Sequence, residues 1–208
     1  MAKKIKAKKD VIILLVEGAT EVEFYKKLLR DLYKKYNPKN CEIRQPINME
    51  GIGNYKNGAV RQFEREVGKF QKSKKYNREF KYVYYVFMCI DTDVFEFHSN
   101  PPIDKENVKK AIADAGGIPH YIEACHSIED WFLEDRNGIA DFLHINITNL
   151  KINGKNGAEK INKLFEACPN GKNYIKGEQC KGLVENLDVM KIFNNHQAEF
   201  SELINLLK

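Results

Sequence analysis

Apolar residues enter this chain in two recurring patterns: unbroken runs that end in acids, and stretches between them in which apolar positions repeat at helical spacing. Residues 11–16 (VIILLV) form one such run, bounded by charge on one side and Gly18 on the other, and predict a buried parallel strand. Thr20 with Glu23 three residues later has the form of a capping box. Phe24, Tyr25, Leu28, Leu29 and Leu32 then follow one helical face. Pro38 closes that helix, residues 41–47 predict a short strand, and Gly51, Gly53 and Gly58 predict a loop before a charged helix over residues 59–70. Residues 82–90 (YVYYVFMCI) are the strongest strand signal, rich in β-branched and aromatic side chains, and stop at Asp91-Thr92-Asp93.

Asp104 caps a helix to about Ala115, Gly116-Gly117 ends it, residues 118–124 form another strand, and a further helix starts near Ser127. Beyond Asn137 no strand pattern persists, and helical patterns cover residues 158–167, 183–193 and 199–207. This alternation predicts an α/β fold, a mainly parallel sheet flanked by helices, over residues 11–136. A basic disordered arm over residues 1–10 precedes it, and a helical extension over residues 137–208 packs on it.

Composition narrows the setting. A chain of 208 residues suits one well-buried core with an appendage, and no apolar stretch reaches the length of a membrane span. Five cysteines, an odd number without a Cys-x-x-Cys pair, fit neither a disulfide framework nor a zinc ribbon, and point to reduced thiols in the cytoplasm. The net charge of +5 is concentrated in residues 3–9 and 69–81. It favours a polyanionic partner, with a solvated surface as the plainer reading. His98, His120, His126, His144 and His196 lack the spacing of a zinc site and are expected to be structural or solvated.

In an open parallel sheet the carboxyl ends of the strands are where ligands bind. Glu17 follows the first strand, Asp91 and Asp93 follow the strongest one, and Glu123, Glu129 and Asp130 bracket the turn after the next. Anions gathered in a cleft repel one another unless some are protonated or a cation neutralises them. Carboxylates without an organised His or Cys set suit Mg²⁺, and Mg²⁺ held by few carboxylates implies a phosphate ester as substrate. The Asp-x-Asp spacing lets both side chains face one ion if the chain is still extended there. Glu21, four residues beyond Glu17, reads either as a ligand to a second ion or as a first-turn acid favoured by the helix dipole.

Val16-Glu17-Gly18-Ala19-Thr20-Glu21 after a strand, the Gly51-x-Gly53 loop and Asp91-Thr92-Asp93 after a later strand resemble the Toprim signature of topoisomerases, bacterial primases, RNA maturases and OLD-type nucleases. The segment His126-Ser127-Ile128-Glu129-Asp130-Trp131-Phe132-Leu133 is similar to the Ser-x-Glu segment after the Toprim core of OLD-like and RloB-like bacterial proteins. The resemblance spans residues 11–133 and implies a Rossmann-like Toprim fold. It implies a general acid or base and metal role for Glu17, and divalent-ion binding by Asp91 and Asp93. It adds Glu21, Ser127 and Glu129 as further metal-site groups, with Gly18, Gly51 and Gly53 shaping the loops. Asn173-Tyr174-Ile175-Lys176-Gly177 resembles a lysine-bearing loop of related proteins, so Lys176 is a candidate charge stabiliser, against the alternative of a solvated loop lysine.

The expected function is thus a Mg²⁺- or Mn²⁺-dependent nuclease using one or two ions on DNA or RNA, in a bacterial defence or mobile-element setting. No P-loop ATPase motif is present, so an ATPase or other regulator would be a separate chain. Two alternatives stand beside it. A haloacid-dehalogenase-like phosphatase also uses Asp-x-Asp after a strand, although Phe95 stands where that family usually has Thr or Val. A Toprim module that binds nucleic acid or a partner without turnover is the other.

Overall fold

The computed structural model describes residues 6–96, 101–146, 152–168, 174–177 and 180–208. His98 and Asn173 lie outside the described residues, as do residues 1–5 of the expected basic arm. The strand β1 (Lys8–Val16) begins inside that arm, because Lys8 and Lys9 register with Lys81 and Tyr82 of β4 (Lys81–Asp91). Around β1 the sheet builds in the order β2 (Cys41–Ile43), β1, β4, β5 (Gly117–Ala124), and β3 (Ile47–Asn48) also pairs with β1. Every pairing among the described residues is parallel. The single strand expected over residues 41–47 is therefore two, interrupted ahead of Pro46, which has no N–H to give the ladder.

Side chains of β1 alternate between two apolar layers. Val11, Ile13 and Leu15 face α2 (Tyr55–Gln71) and α4 (Lys105–Asp114), where Phe63, Phe70, Val108 and Ile112 cover them. Ile12, Leu14 and Val16 face α1 (Ala19–Tyr36), whose Phe24, Tyr25, Leu28 and Leu32 are buried. Outside α1 the same layer continues through α5 (Ile128–Phe132), α6 (Arg136–Leu143), α7 (Gly157–Glu166), α8 (Cys180–Asn186), α9 (Val189–Asn195) and α10 (Ser201–Leu207). Both faces of the sheet are covered, as long apolar strands require. Among the described residues no helix is long and apolar enough to cross a membrane.

Helix ends depart from expectation in two places. The capping box does not form: α1 begins at Ala19 with Gly18 as its cap, so Thr20 sits inside the first turn and its hydroxyl accepts the Gly177 N–H at 3.0 Å instead. The pattern over residues 183–193 is two helices, because the Asp188 carboxylate accepts the N–H groups of Met190 and Lys191 and starts α9 there. The Asp104 cap holds as expected, accepting the Asn107 N–H at 3.0 Å.

Candidate active site

Four chain segments meet beyond the carboxyl ends of β1 and β4. Glu17 leaves β1, Glu21 stands in the first turn of α1, Asp91 is the last residue of β4, and Glu129 lies in α5. Glu21, Asp91 and Glu129 are almost wholly buried, at 3%, 3% and 0% exposure. Glu17 takes the Asp91 N–H on Oε2 at 3.4 Å, and Asp91 takes the Ile128 N–H on Oδ1 at 3.0 Å. The strands are thus tied to each other, and to α5, through the acids themselves.

Lys176 completes the cluster. Its Nζ lies 3.7 Å from Asp91 Oδ2 and 3.6 Å from Glu129 Oε1, so one ammonium sits between two buried carboxylates. The loop that carries it is fixed at both sides: Tyr174 donates its hydroxyl to Glu129 Oε1 at 2.9 Å, and Gly177 donates its N–H to Thr20. Tyr174 was passed over in the sequence, although it lies only two residues from Lys176. Tyr55 was missed as well. Its hydroxyl, shared between the carbonyls of Leu15 and Cys89 at 2.9 Å each, locks β1 to β4 directly beneath the acids.

The electrostatics follow from burial and crowding. Desolvation, then the charges of Glu21, Glu17 and Glu129, push the Asp91 carboxyl up to about 8 against the pull of Lys176. Burial also raises Glu17 and Glu21 above the usual carboxylate range. Desolvation draws Lys176 down, but Glu129, Asp91, Glu21 and Glu17 outweigh it and hold the ammonium charged well above its ordinary range.

Other expected residues fall differently. The chain turns at Thr92 rather than staying extended, so Asp91 is buried while Asp93 opens α3 (Asp93–Glu96) at the half-buried rim. Asp93 still bears on the charge of Glu17, and its N–H is held by the His126 carbonyl at 3.0 Å. Ser127 turns its hydroxyl to Asp130 at 2.9 Å, and Asp130 also pairs with Lys160, so neither side chain joins the cluster. Glu123 is taken by Lys105 at 2.7 Å, because alternation along β5 sends it to the other side of the sheet from Ile122. Gly18 leaves room for Glu21: a Cβ there would stand 3.0 Å from Glu21 Oε2. Gly51, at φ 112°, makes a turn disfavoured for other residues and gives its N–H to the Glu17 carbonyl. Gly53 has a Cβ direction open to space and no positive φ.

Both carboxylate oxygens of Glu21 and Oε2 of Glu129 are buried without a hydrogen-bond partner among the described residues. Unpartnered buried carboxylate oxygens are costly, and a hard cation with oxygen ligands is the group that would satisfy them. Oxygen donors of this kind are those that Mg²⁺ or Mn²⁺ takes, and protonation, favoured by the raised Glu21 carboxyl, is the other way to satisfy them. Among the described residues no three His, Cys, Asp or Glu side chains form a ready-made metal site; Lys176 supplies the positive charge in this arrangement.

No protein-family model matches the chain, and neither does any curated protein sequence. Among solved structures the chain is similar to the C-terminal region of the Burkholderia pseudomallei OLD protein, with 13% identity and a TM-score of 0.39 over 97% of this chain and 98% of that one. It is also similar to the C-terminal region of the Xanthomonas campestris pv. campestris OLD protein, with 13% identity and a TM-score of 0.36 over 94% of each chain.

Proposed function

We propose that this chain is a Toprim-type nuclease that hydrolyses phosphodiester bonds in DNA or RNA with the help of Mg²⁺ or Mn²⁺. The observation that supports this most is the set of three buried carboxylate oxygens, both of Glu21 and Oε2 of Glu129, that lack hydrogen-bond partners among the described residues beside the buried Asp91. Glu17, Glu21, Asp91 and Glu129 would hold the ion, with Asp93 reaching in from the rim. When bound, such an ion polarises the phosphoryl oxygens and makes water a better nucleophile at neutral pH.

The chain's own groups divide the remaining work. Glu17, raised above the usual carboxylate range, is suited to take a proton from an attacking water. Lys176, charged, half-exposed and seated against Asp91 and Glu129, can meet the negative charge that grows on a transferring phosphoryl group. Tyr174 and Thr20 hold that lysine in place. Asp91, anchored by the Ile128 N–H, gives the site its fixed point.

The test is incubation of wild type, Glu17→Ala and Asp91→Asn with end-labelled DNA and RNA, each with Mg²⁺, Mn²⁺ or chelator. We expect metal-dependent cleavage by wild type and a loss of two or more orders of magnitude in either variant, about the contribution of one general base. Undiminished cleavage by either variant refutes the assignment. A phosphoryl group trapped covalently on Asp91 would move the protein to the phosphatase alternative.

A further inference from the structure

Residues 6–9 of the first basic stretch and the end of the second are brought together at the end of the sheet opposite the acids. Parallel registration sets Lys8 beside Lys81 and Lys9 beside Tyr82. Across this seam the Lys81 N–H donates to the Ala7 carbonyl at 2.9 Å, and Lys6 Nζ donates to the Arg78 carbonyl at 2.6 Å. Residues 69–81 alone hold six lysines and arginines against one acid, Glu79. Asp10 pairs with Lys8 and Glu42 pairs with Lys75. Lys9, Lys72, Lys74, Arg78 and Lys81 have no acidic partner among the described residues, and all but the half-buried Lys9 are exposed.

The helix α2 links this cationic end to the acidic one. It starts beside the acids, where Tyr55 reaches Leu15 and Cys89, and ends at the cationic end, where Phe70 packs edge-on against Tyr82. Its exposed Arg61, Arg65 and Lys69, followed by Lys72, recur at intervals of three or four and so share one stripe. Lys69 pairs with Glu66, Glu64 borders the stripe, and neither Arg61 nor Arg65 has an acidic partner among the described residues. Nine residues of β1 place the two ends about 30 Å apart, several Debye lengths at physiological salt, so each end acts on its surroundings separately.

We propose that the outer stripe of α2 and the cationic end of β1 and β4 form a docking track for the phosphate backbone of a nucleic acid whose scissile bond lies at the acids. This deepens the nuclease reading and rests on it. Before a metal ion binds, the crowded carboxylates repel a polyanion, so attraction has to come from elsewhere on the surface. A straight row of cations running away from the site fits an extended polymer better than a compact acidic protein. About nine base pairs span the same length, so one duplex can lie along the track and still reach the acids.

The experiment measures binding of labelled DNA and RNA duplexes of about 30 base pairs by fluorescence anisotropy in chelator, across about 50 to 200 mM salt. It compares wild type, Asp91→Asn, Arg61→Glu/Arg65→Glu and Lys74→Glu/Arg78→Glu. Asp91→Asn, which adds no negative charge, should bind no more weakly than wild type. Each double variant should bind roughly tenfold more weakly, with a salt slope smaller by about two, one unit per lost phosphate contact. All four should turn over bis(p-nitrophenyl) phosphate as the site dictates, since that small diester cannot reach the track: the double variants like wild type, Asp91→Asn poorly. Unchanged affinity and slope in both double variants overturn the track, as does stronger competition by anionic vesicles than by unlabelled duplex. Diester turnover with unaltered binding leaves the nuclease and removes the track. Salt-dependent binding through these residues, with no turnover under any metal, leaves the track and removes the nuclease.

Discussion

At the scale of single residues, the candidate site is a set of acids kept from their preferred state. Asp91 holds its proton to about pH 8 in the fold, against roughly 4 for an unfolded aspartate. Between those values the folded chain binds more protons than the unfolded chain, so stability falls as pH rises through the window. Glu17 and Glu21 are shifted in the same direction and steepen the fall. The expected outcome in chelator is a melting temperature that drops from pH 5 to pH 8 in wild type and drops less in Asp91→Asn. Parallel decline in the two proteins would show that Asp91 is not the group responsible. The sequence made Glu17, Asp91 and Asp93 visible because acids at strand ends are a local signal. Position along the chain alone did not separate Glu129 from Asp130 or Glu123, and only the resemblance singled out Glu129, because which side of a turn or sheet an acid faces is set by register and by partners such as Lys105 and Lys160.

Among the elements, strands were easier to read than helix ends. Parallel strands buried on both faces must be apolar throughout, so β1 and β4 stood out as runs, whereas α8 and α9 merged into one pattern because the Asp188 break is a cap rather than a Gly or Pro. The attachment of α8 was invisible for a similar reason. Lys27 of α1 donates to the carbonyls of Val184, Glu185 and Leu187 at 3.1, 2.7 and 2.6 Å, closing the carboxyl end of α8 from across the molecule. A cation there complements the negative end of the helix dipole and adds to the Leu187 and Val189 N–H groups that already donate to the Val184 and Leu187 carbonyls. Lys27→Met keeps the apolar stem and removes the ammonium, and should cost about 1–3 kcal/mol in urea denaturation. Hydrogen exchange should quicken first in α8 and α9; uniform change across the protein would place the loss elsewhere.

For the molecule as a whole, the apolar layer beneath α1 does not stop at residue 136. Phe24, Tyr25 and Trp131 share a cluster with Ile161, Phe165, Val184, Phe193 and Phe200, and Trp131 is stacked on His196 with ring centroids 4.4 Å apart. A fragment of residues 1–136 should therefore lose cooperative unfolding and near-ultraviolet circular dichroism; a sharp, wild-type-like melt would show that the extension is dispensable. The residues around Lys176 belong to that same later part of the chain. During synthesis, the acids emerge and can assemble before the lysine that neutralises them exists. Until the loop with Lys176 arrives, no lysine or arginine among the described residues pairs with Asp91 or Glu129, so in a half-made chain protonation and the Ile128 N–H are left to relieve the crowding of these acids.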